Sequence, residues 1–424
     1  MNFTHRFSKI IVMIGMVLMT LGLPVTASAS SVYQNTNQPD IDATVGLAVD
    51  ASNGQVLYSK NSNRPMPLAS MSKLMSLYIV RKAIAEGKIY WDQKVPVNSA
   101  LHNLSVDTDY ANVPLPTGKT YTVRQIYQAS FESANAAMMS LANLVGGSTQ
   151  NFVLMMRKTA KQLGIKDAQL YTACGLTNGE VGKALGMPGV DDNAENKMSA
   201  KDMAKIASKF MQQFPDVLKH TSISEYTLGG KTLRNGDYML PGGTQADPNL
   251  PVQGLKTGTS TTCGGSFIGT TNRDGHRIIT VVMHASNTEP TDPGRFIQTK
   301  KIMNYVYDNY RYVNVAAGAQ TAYKNVAVPS GSDTKVAIKT KKAFHYWAPM
   351  SASGANVNLV INKQLRDGKG IDAPVKRDQK IGRLVFKDFT NLDGKTLHVS
   401  MDTAASVDKA NLFVRIWRSI VNLF

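Results

Sequence analysis

Cysteine is nearly absent: two residues, Cys174 and Cys263, in 424 are too few for a disulfide scaffold. The seven histidines are dispersed, with no H-x-x-x-H or C-x-x-C pair, so no metal site and no cofactor is expected. Acidic charge is also scarce. Thirty Asp and Glu face 47 Lys and Arg, leaving a net charge of +17. Such a balance favours anionic partners: nucleic acid, an acidic polymer or anionic lipid. No long Lys/Arg block with interleaved aromatics is present, which weighs against nucleic acid. The conspicuous apolar run, Ile10 to Leu23, falls short of the roughly 20 residues that span a bilayer.

That run has a meaning of its own. His5, Arg6 and Lys9 precede it, and "PVTASAS" follows, with Ala27-Ser28-Ala29 fitting A-x-A. A basic start, an apolar stretch and a small-residue site together describe a secretory signal peptide, residues 1–29. An exported protein is therefore expected, and nucleic acid recedes further. Residues 30–40 are polar and read as a flexible lead-in.

Hydrophobic residues make up 43% of the chain, enough for a real core, and the length asks for two or three folded units. Val45 to Val49 and Gln55 to Ser59 flank Ser52-Asn53-Gly54, a hairpin signal. Ser70 to Glu86 reads as a helix, with Leu74, Leu77, Tyr78, Arg81 and Ile84 at helical steps and Gly87 at the stop. Residues 122–164 read as interrupted helices. "GGSFIGTTNRDGHRIITVVMHA" reads as a second hairpin, and Thr299 to Tyr310 as a further helix.

Composition changes near Ala316. Residues 316–405 hold short alternating strands such as "TKVAIKT" and "GRLVFKDF", with 14 Lys and Arg against 7 Asp and Glu. This predicts a small basic β-domain after a first unit over 41–315. Residues 406–424 form an amphipathic pattern. Arg415, Arg418, Ser419 and Asn422 share one face, while Leu412, Phe413, Ile416, Trp417, Ile420, Leu423 and Phe424 take the other. A Trp/Phe/Leu face opposite an Arg-bearing face suits an anionic membrane surface.

The chemistry lies in three short segments. "PLASMSKLM" sets Ser70 and Lys73 three apart, on one helical face. A neutral lysine there could take the serine proton, but an ordinary lysine is protonated near pH 7. A second cation or burial must lower its pKa. "GLKTGTS" supplies that cation as Lys256, with Thr257 beside it to hold a carboxylate and Gly258 where backbone must approach a ligand. "SFESANAAMM" adds the Ser133 hydroxyl and the Asn135 amide at a helix break. Singly these are weak signals. Ser-x-x-Lys recurs at Ser406–Lys409 and Ser-x-Asn at Ser59–Asn61, whereas Lys-Thr-Gly occurs once.

In this order the trio is far more specific, and it resembles that of penicillin-binding proteins and β-lactamases. The chain is similar to the low-molecular-mass penicillin-binding proteins of the serine D-alanyl-D-alanine carboxypeptidase type. "GLAVDASNGQVLYSKN", "GTTNRDGHRIITVVM" followed by Arg295, "IDAPVKRDQKIGRL" and the terminal helix extend the likeness over about residues 41–424. It implies an α/β transpeptidase-like domain, with an antiparallel sheet flanked by helices and an all-α subdomain. A small all-β domain and a C-terminal anchoring helix follow. It implies Ser70 as nucleophile, Lys73 as base, Ser133 as proton relay, and Asn135, Lys256, Thr257, Gly258 and Thr259 as substrate contacts. The backbone N–H groups of Ser70 and Thr259 would form an oxyanion hole. The substrate would be a peptidoglycan stem peptide, and β-lactams would be inhibitors.

Departures concern detail. Thr259 stands where many relatives have His, Ala136 where Asp is common, and Cys174 lies in a loop that relatives place near the site. No convincing counterpart of the β-lactamase deacylating glutamate lies between Gly175 and Asp202, so slow deacylation is expected. A D,D-endopeptidase and a β-lactam-binding wall protein with weak turnover share the same trio. Cys174 and Cys263 both flank the expected site. An exported protein could pair them, and two free thiols are the alternative.

Overall fold

The computed structural model describes residues 38–421 apart from 286–288, 290, 353–355 and 369. The expected signal peptide, most of the lead-in and residues 422–424 lie outside the described residues.

The first unit is built on a five-stranded antiparallel sheet. Its strands are β1 (Ala43–Asp50), β2 (Val56–Lys60), β3 (Val252–Ser260), β4 (Gly264–Arg273) and β5 (His276–Ala285), in the order β2-β1-β5-β4-β3. The β1–β2 turn is fastened by Asp50, whose carboxylate accepts from the N–H groups of Ser52 and Asn53 at 2.8 and 2.9 Å. The strands are apolar with little polar alternation because the sheet is covered on both faces. Val45, Leu47 and Val49 join the larger core cluster, while Ala48 joins another with Phe267 and Phe296.

On the second face lies helix α6 (Gly294–Asn309). On the first lie α1 (Lys73–Ala85) and α5 (Ala200–Gln213). Helices α2 (Val123–Phe131), α3 (Asn135–Gly146) and α4 (Thr149–Gln162) pack around α1 as an all-helical part. Helix α1 is buried on nearly all sides, through Leu74, Met75, Leu77, Tyr78, Ile79 and Val80. It is therefore a central helix rather than the one-sided stripe that its sequence spacing suggests.

Two boundaries differ from expectation. The segment read as one helix from Ser70 begins as a 3₁₀ turn, Ala69–Ser72, and becomes α-helical at Lys73. Helix α6 starts at Gly294, directly after Pro293, rather than at Thr299. This brings Arg295 into its first turn.

Beyond α6, strand β6 (Tyr310–Val315) pairs with β9 (Phe344–Pro349) as a two-stranded ribbon. Strands β7 (Asn325–Ala327), β8 (Lys335–Thr340), β10 (Val357–Ile361), β11 (Lys380–Thr390) and β12 (Thr396–Thr403) form a second antiparallel sheet, ordered β7-β8-β12-β11-β10. Val328, Ile338, Phe386 and Met401 fill its own core. The ribbon ties the two sheets together. Trp347 on β9 is 2% exposed and joins the cluster that contains Leu57 and Phe296. Its indole N–H donates to Asp50 Oδ2 at 2.7 Å. The Gln55 side chain brackets its backbone, accepting from the N–H and donating to the carbonyl, both at 2.8 Å. Trp347→Ala removes a buried aromatic and leaves a carboxylate oxygen without its donor. It is expected to cost about 3–5 kcal/mol, read by denaturant unfolding of the full chain.

Candidate active site

Ser70 owes its position to a tight piece of backbone. Ala69 has φ 44°, in the left-handed region that a non-glycine residue seldom occupies. The 3₁₀ turn then eclipses residues three apart, so Ser70 stands directly over Lys73. Lys73 Nζ lies 2.8 Å from Ser70 Oγ. It also donates to Asn135 Oδ1 at 2.6 Å and to the Cys174 carbonyl at 2.8 Å.

Those three contacts fix the lysine's chemistry. Asn135 Oδ1 and the Cys174 carbonyl can only accept, so they hold two N–H bonds. The third tetrahedral position faces Ser70. In the neutral amine that position is the lone pair, aimed at a hydroxyl that can donate. Lys73 is 0% exposed, and burial, assisted by the charge of Lys256, brings its pKa down to about 7.

Lys256 enters from β3, the edge strand of the main sheet. Its Nζ donates to Ser133 Oγ at 3.0 Å. Ser133 sits between α2 and α3 with φ 75°, a second strained non-glycine residue at the site. Asn135 opens α3, and its N–H is held by the Ala111 carbonyl at 2.9 Å. Ser70, Ser133, Thr257 and Thr259 are each partly exposed, whereas Lys73, Asn135 and Lys256 lie beneath them. Partly exposed hydroxyls therefore stand above two buried amines and a buried amide.

Gly258 also has a steric reason within the fold. A Cβ there would lie 2.5 Å from the Leu68 carbonyl and 3.0 Å from Met71 Cγ. The close approach is to the turn that carries Ser70. Gly175 packs against the same turn: its φ is +91°, and a Cβ would come 1.9 Å from the Ala69 carbonyl. Two glycines thus pack closely against the turn that carries Ser70.

The two cysteines are not paired; both are free and buried. Cys263 Sγ donates to Ser266 Oγ at 3.3 Å, and Cys174 presents its carbonyl to Lys73. Flanking one site from different elements does not provide the short Cβ separation that a disulfide needs.

Three further residues join the site. Arg295 is 2% exposed and donates from Nη1 to the Gly258 carbonyl at 2.9 Å and to Thr259 Oγ1 at 2.6 Å. Glu132 and Asp237 are buried beside Lys256, and burial pushes each carboxyl up to about 7. Arg295 has a sequence signal only as the residue that opens a helix after the hairpin. Glu132 has only its adjacency to Ser133, and Asp237 has none.

The family model described as D-alanyl-D-alanine carboxypeptidase, peptidase S11, matches residues 32–287. The chain belongs to this family. A curated relative, D-alanyl-D-alanine carboxypeptidase DacF of Bacillus subtilis (strain 168), is 27% identical over 389 residues, 91% of this chain and 90% of its own. Among solved structures, a peptidoglycan synthesis regulatory factor (PBP3) from Streptococcus pneumoniae superposes with TM-score 0.69 at 27% identity, covering 87% of this chain and all of that one. Penicillin-binding protein D2 from Listeria monocytogenes, solved in its cefotaxime-bound form, matches at TM-score 0.52 and 29% identity, over 63% of this chain and 98% of its own. The carboxypeptidase family's match ends at residue 287, inside the first unit, and the first two of these relatives extend into the second.

Gly258→Ala is expected to push Leu68 and the Ser70 turn off their positions. Displacements of this kind cost about 10²-fold in rate. β-Lactam acylation of Ser70 should slow accordingly, and an unchanged rate would show that the contact does not position the serine.

Proposed function

We propose that the protein is a serine-type D-alanyl-D-alanine carboxypeptidase that trims the terminal D-alanine from peptidoglycan stem peptides through an acyl-enzyme on Ser70. The observation that carries this reading is the buried amine of Lys73, 2.8 Å from Ser70 Oγ. Ser70 attacks the penultimate D-alanine carbonyl and gives its proton to Lys73. Backbone N–H groups of Ser70 and Thr259 receive the charge that develops on the carbonyl oxygen. Ser133, whose Oγ accepts from Lys256, gives its hydroxyl proton to the departing D-alanine and takes up in its place the proton that Lys73 received. Lys256, Thr257 and Thr259 hold the terminal carboxylate, and Asn135 orients a substrate amide. Water then releases the shortened peptide. A β-lactam presents the same carbonyl and carboxylate, and it acylates Ser70 by ring opening.

The same reading places the enzyme in the cell envelope, exported and peripheral at the outer face of the cytoplasmic membrane. Its support is the terminal helix α7 (Leu412–Val421). Leu412, Phe413, Ile416 and Trp417 are 58%, 84%, 50% and 68% exposed. Arg418 instead turns to the second unit, donating to the Gly331 carbonyl at 2.7 Å. An apolar face left outward suits the interfacial region of a bilayer. No helix among the described residues is long and apolar enough to cross a membrane.

The test is release of free D-alanine from an acylated Lys-D-Ala-D-Ala peptide, beside Ser70→Ala. Release by the parent and background from the variant are expected. If the parent is acylated by penicillin yet releases no D-alanine, the carboxypeptidase reading fails, and cross-linked muropeptides become the substrate to try. The penicillin adduct itself should outlast many turnovers of peptide.

The pH dependence has a defined sign. Lys73 must be neutral and Lys256 charged, so kcat/KM should rise through about 7 as Lys73 loses its proton and fall above about 8 as Lys256 loses its own. A profile flat across this window would remove Lys73 as the base.

A further inference from the structure

The steps above use two buried lysines in opposite protonation states and give Glu132 and Asp237 no part. Lys73 and Lys256 are 0% and 3% exposed, and each reaches a serine hydroxyl. Burial lowers both, so burial alone does not explain why one should lose its proton first. Their surroundings differ. The hydrogen-bond partners of Lys73 are all neutral oxygens. Lys256 is attracted by two carboxyls, which oppose the effect of its burial, while Arg295 adds to it.

Those carboxyls come from two elements. Glu132 closes α2, immediately before Ser133. Asp237 lies in the loop after Gly236, where a Cβ would stand 3.2 Å from Thr257 Oγ1, so this loop is pressed onto β3 beside Lys256. Both acids are 4% exposed. Each ties one oxygen to a neutral donor. Glu132 Oε1 accepts from Gln128 Nε2 at 3.0 Å, and Asp237 Oδ1 accepts from the Met239 N–H at 2.9 Å. The second oxygens, Glu132 Oε2 and Asp237 Oδ2, are buried without a hydrogen-bond partner among the described residues. A buried carboxyl oxygen without a donor is unfavourable unless a nearby cation compensates it. Lys256 is the cation that acts on both.

We propose that Glu132 and Asp237 are positioning residues that hold Lys256 in its charged form, so that Lys73 is the site lysine that gives up its proton. This rests on the reading of Ser70 and Lys73 as nucleophile and base. The effect reaches Lys73 through Lys256, because a charged Lys256 lowers the pKa of Lys73 in turn. Two like groups whose environments push their pKa values apart divide acid from base work. The charged and titratable groups around Lys256 are Lys73 from α1, Glu132 from α2, Asp237 from its loop and Arg295 from α6. Glu132 in turn faces Gln128, whose Oε1 meets His220 Nδ1 at 2.9 Å. Burial lowers the His220 pKa, which disfavours a competing cation there.

Glu132→Gln and Asp237→Asn keep shape and remove charge. Full-length protein carrying ¹³C at the lysine Cε positions reports the titration of Lys256 directly, its resonance assigned with Lys256→Arg. Lys256 is expected to titrate about one pH unit lower in each variant, a shift of the size one neighbouring charge produces. The alkaline limb of D-alanine release should move down with it, and Glu132→Asp should stay near the parent. A thermal melt accompanies each titration, and two independent sites keep the test open if one variant does not fold. Titration at the parent pH in both variants overturns the proposal. The titration needs no turnover. Absence of D-alanine release would therefore sink the carboxypeptidase reading while leaving the lysine result to stand or fall alone.

Discussion

Lys73 carries an amine into the interior, where the Ser70 hydroxyl, the Asn135 amide oxygen and the Cys174 carbonyl surround it. Burying an ammonium among neutral oxygens is unfavourable, and the cost falls when the proton leaves. The rest of the site follows from that constraint. Ser70 must stand at the lone-pair position, so the backbone before it adopts a strained conformation. The helix that carries Lys73 must be central, so it is wrapped by α2, α3, α4, α5 and the sheet. Asn135 and Cys174 must present oxygens from two other elements, which fixes α3 and the loop before Gly175 against the same point.

Strain and close approach are the means by which this is held. Ala69 and Ser133 both occupy positive φ without being glycine. Such residues persist only where the surrounding packing determines them. Gly175 and Gly258 both press on the turn from Leu68 to Ser72, and both approaches fail with a single added carbon. The edge strand β3 thus has two duties. Its backbone packs against the Ser70 turn, and its Thr257 and Thr259 side chains stay partly exposed at the candidate site. Arg295 connects these duties, binding the Gly258 carbonyl and the Thr259 hydroxyl from the start of α6.

The second unit is fixed to the first through Trp347, Gln55 and Asp50 rather than through a bare linker. Strand β6 lies before the composition change at Ala316 and its partner β9 lies after it, so the ribbon belongs to both units. The ribbon thereby joins the second sheet, and helix α7 after it, to the first unit. The outward apolar face of α7 and the inward Arg418 give that end of the molecule a direction.

Much of this was legible in the residues themselves. Alternation and turn signals located the hairpins and the change to a β-rich segment, because strand pairing depends on local periodicity and turn chemistry. The order of Ser70-Lys73, Ser133-Asn135 and Lys256-Thr257-Gly258 carried the family likeness, since each motif is local and its spacing is read directly. Other features depended on contacts between residues far apart in the chain. The 3₁₀ start of the Ser70 segment packs against Gly175 and Gly258, both far away in the chain. The cysteines stay unpaired because their separation is a matter of packing, not of sequence distance. Glu132 and Asp237 look like ordinary surface acids until folding buries both where they act on Lys256. The sequence by itself determined which groups are present and their local conformational preferences. Only the tertiary structure decided which of them lose contact with water together, and burial is what changes the charge a group can carry.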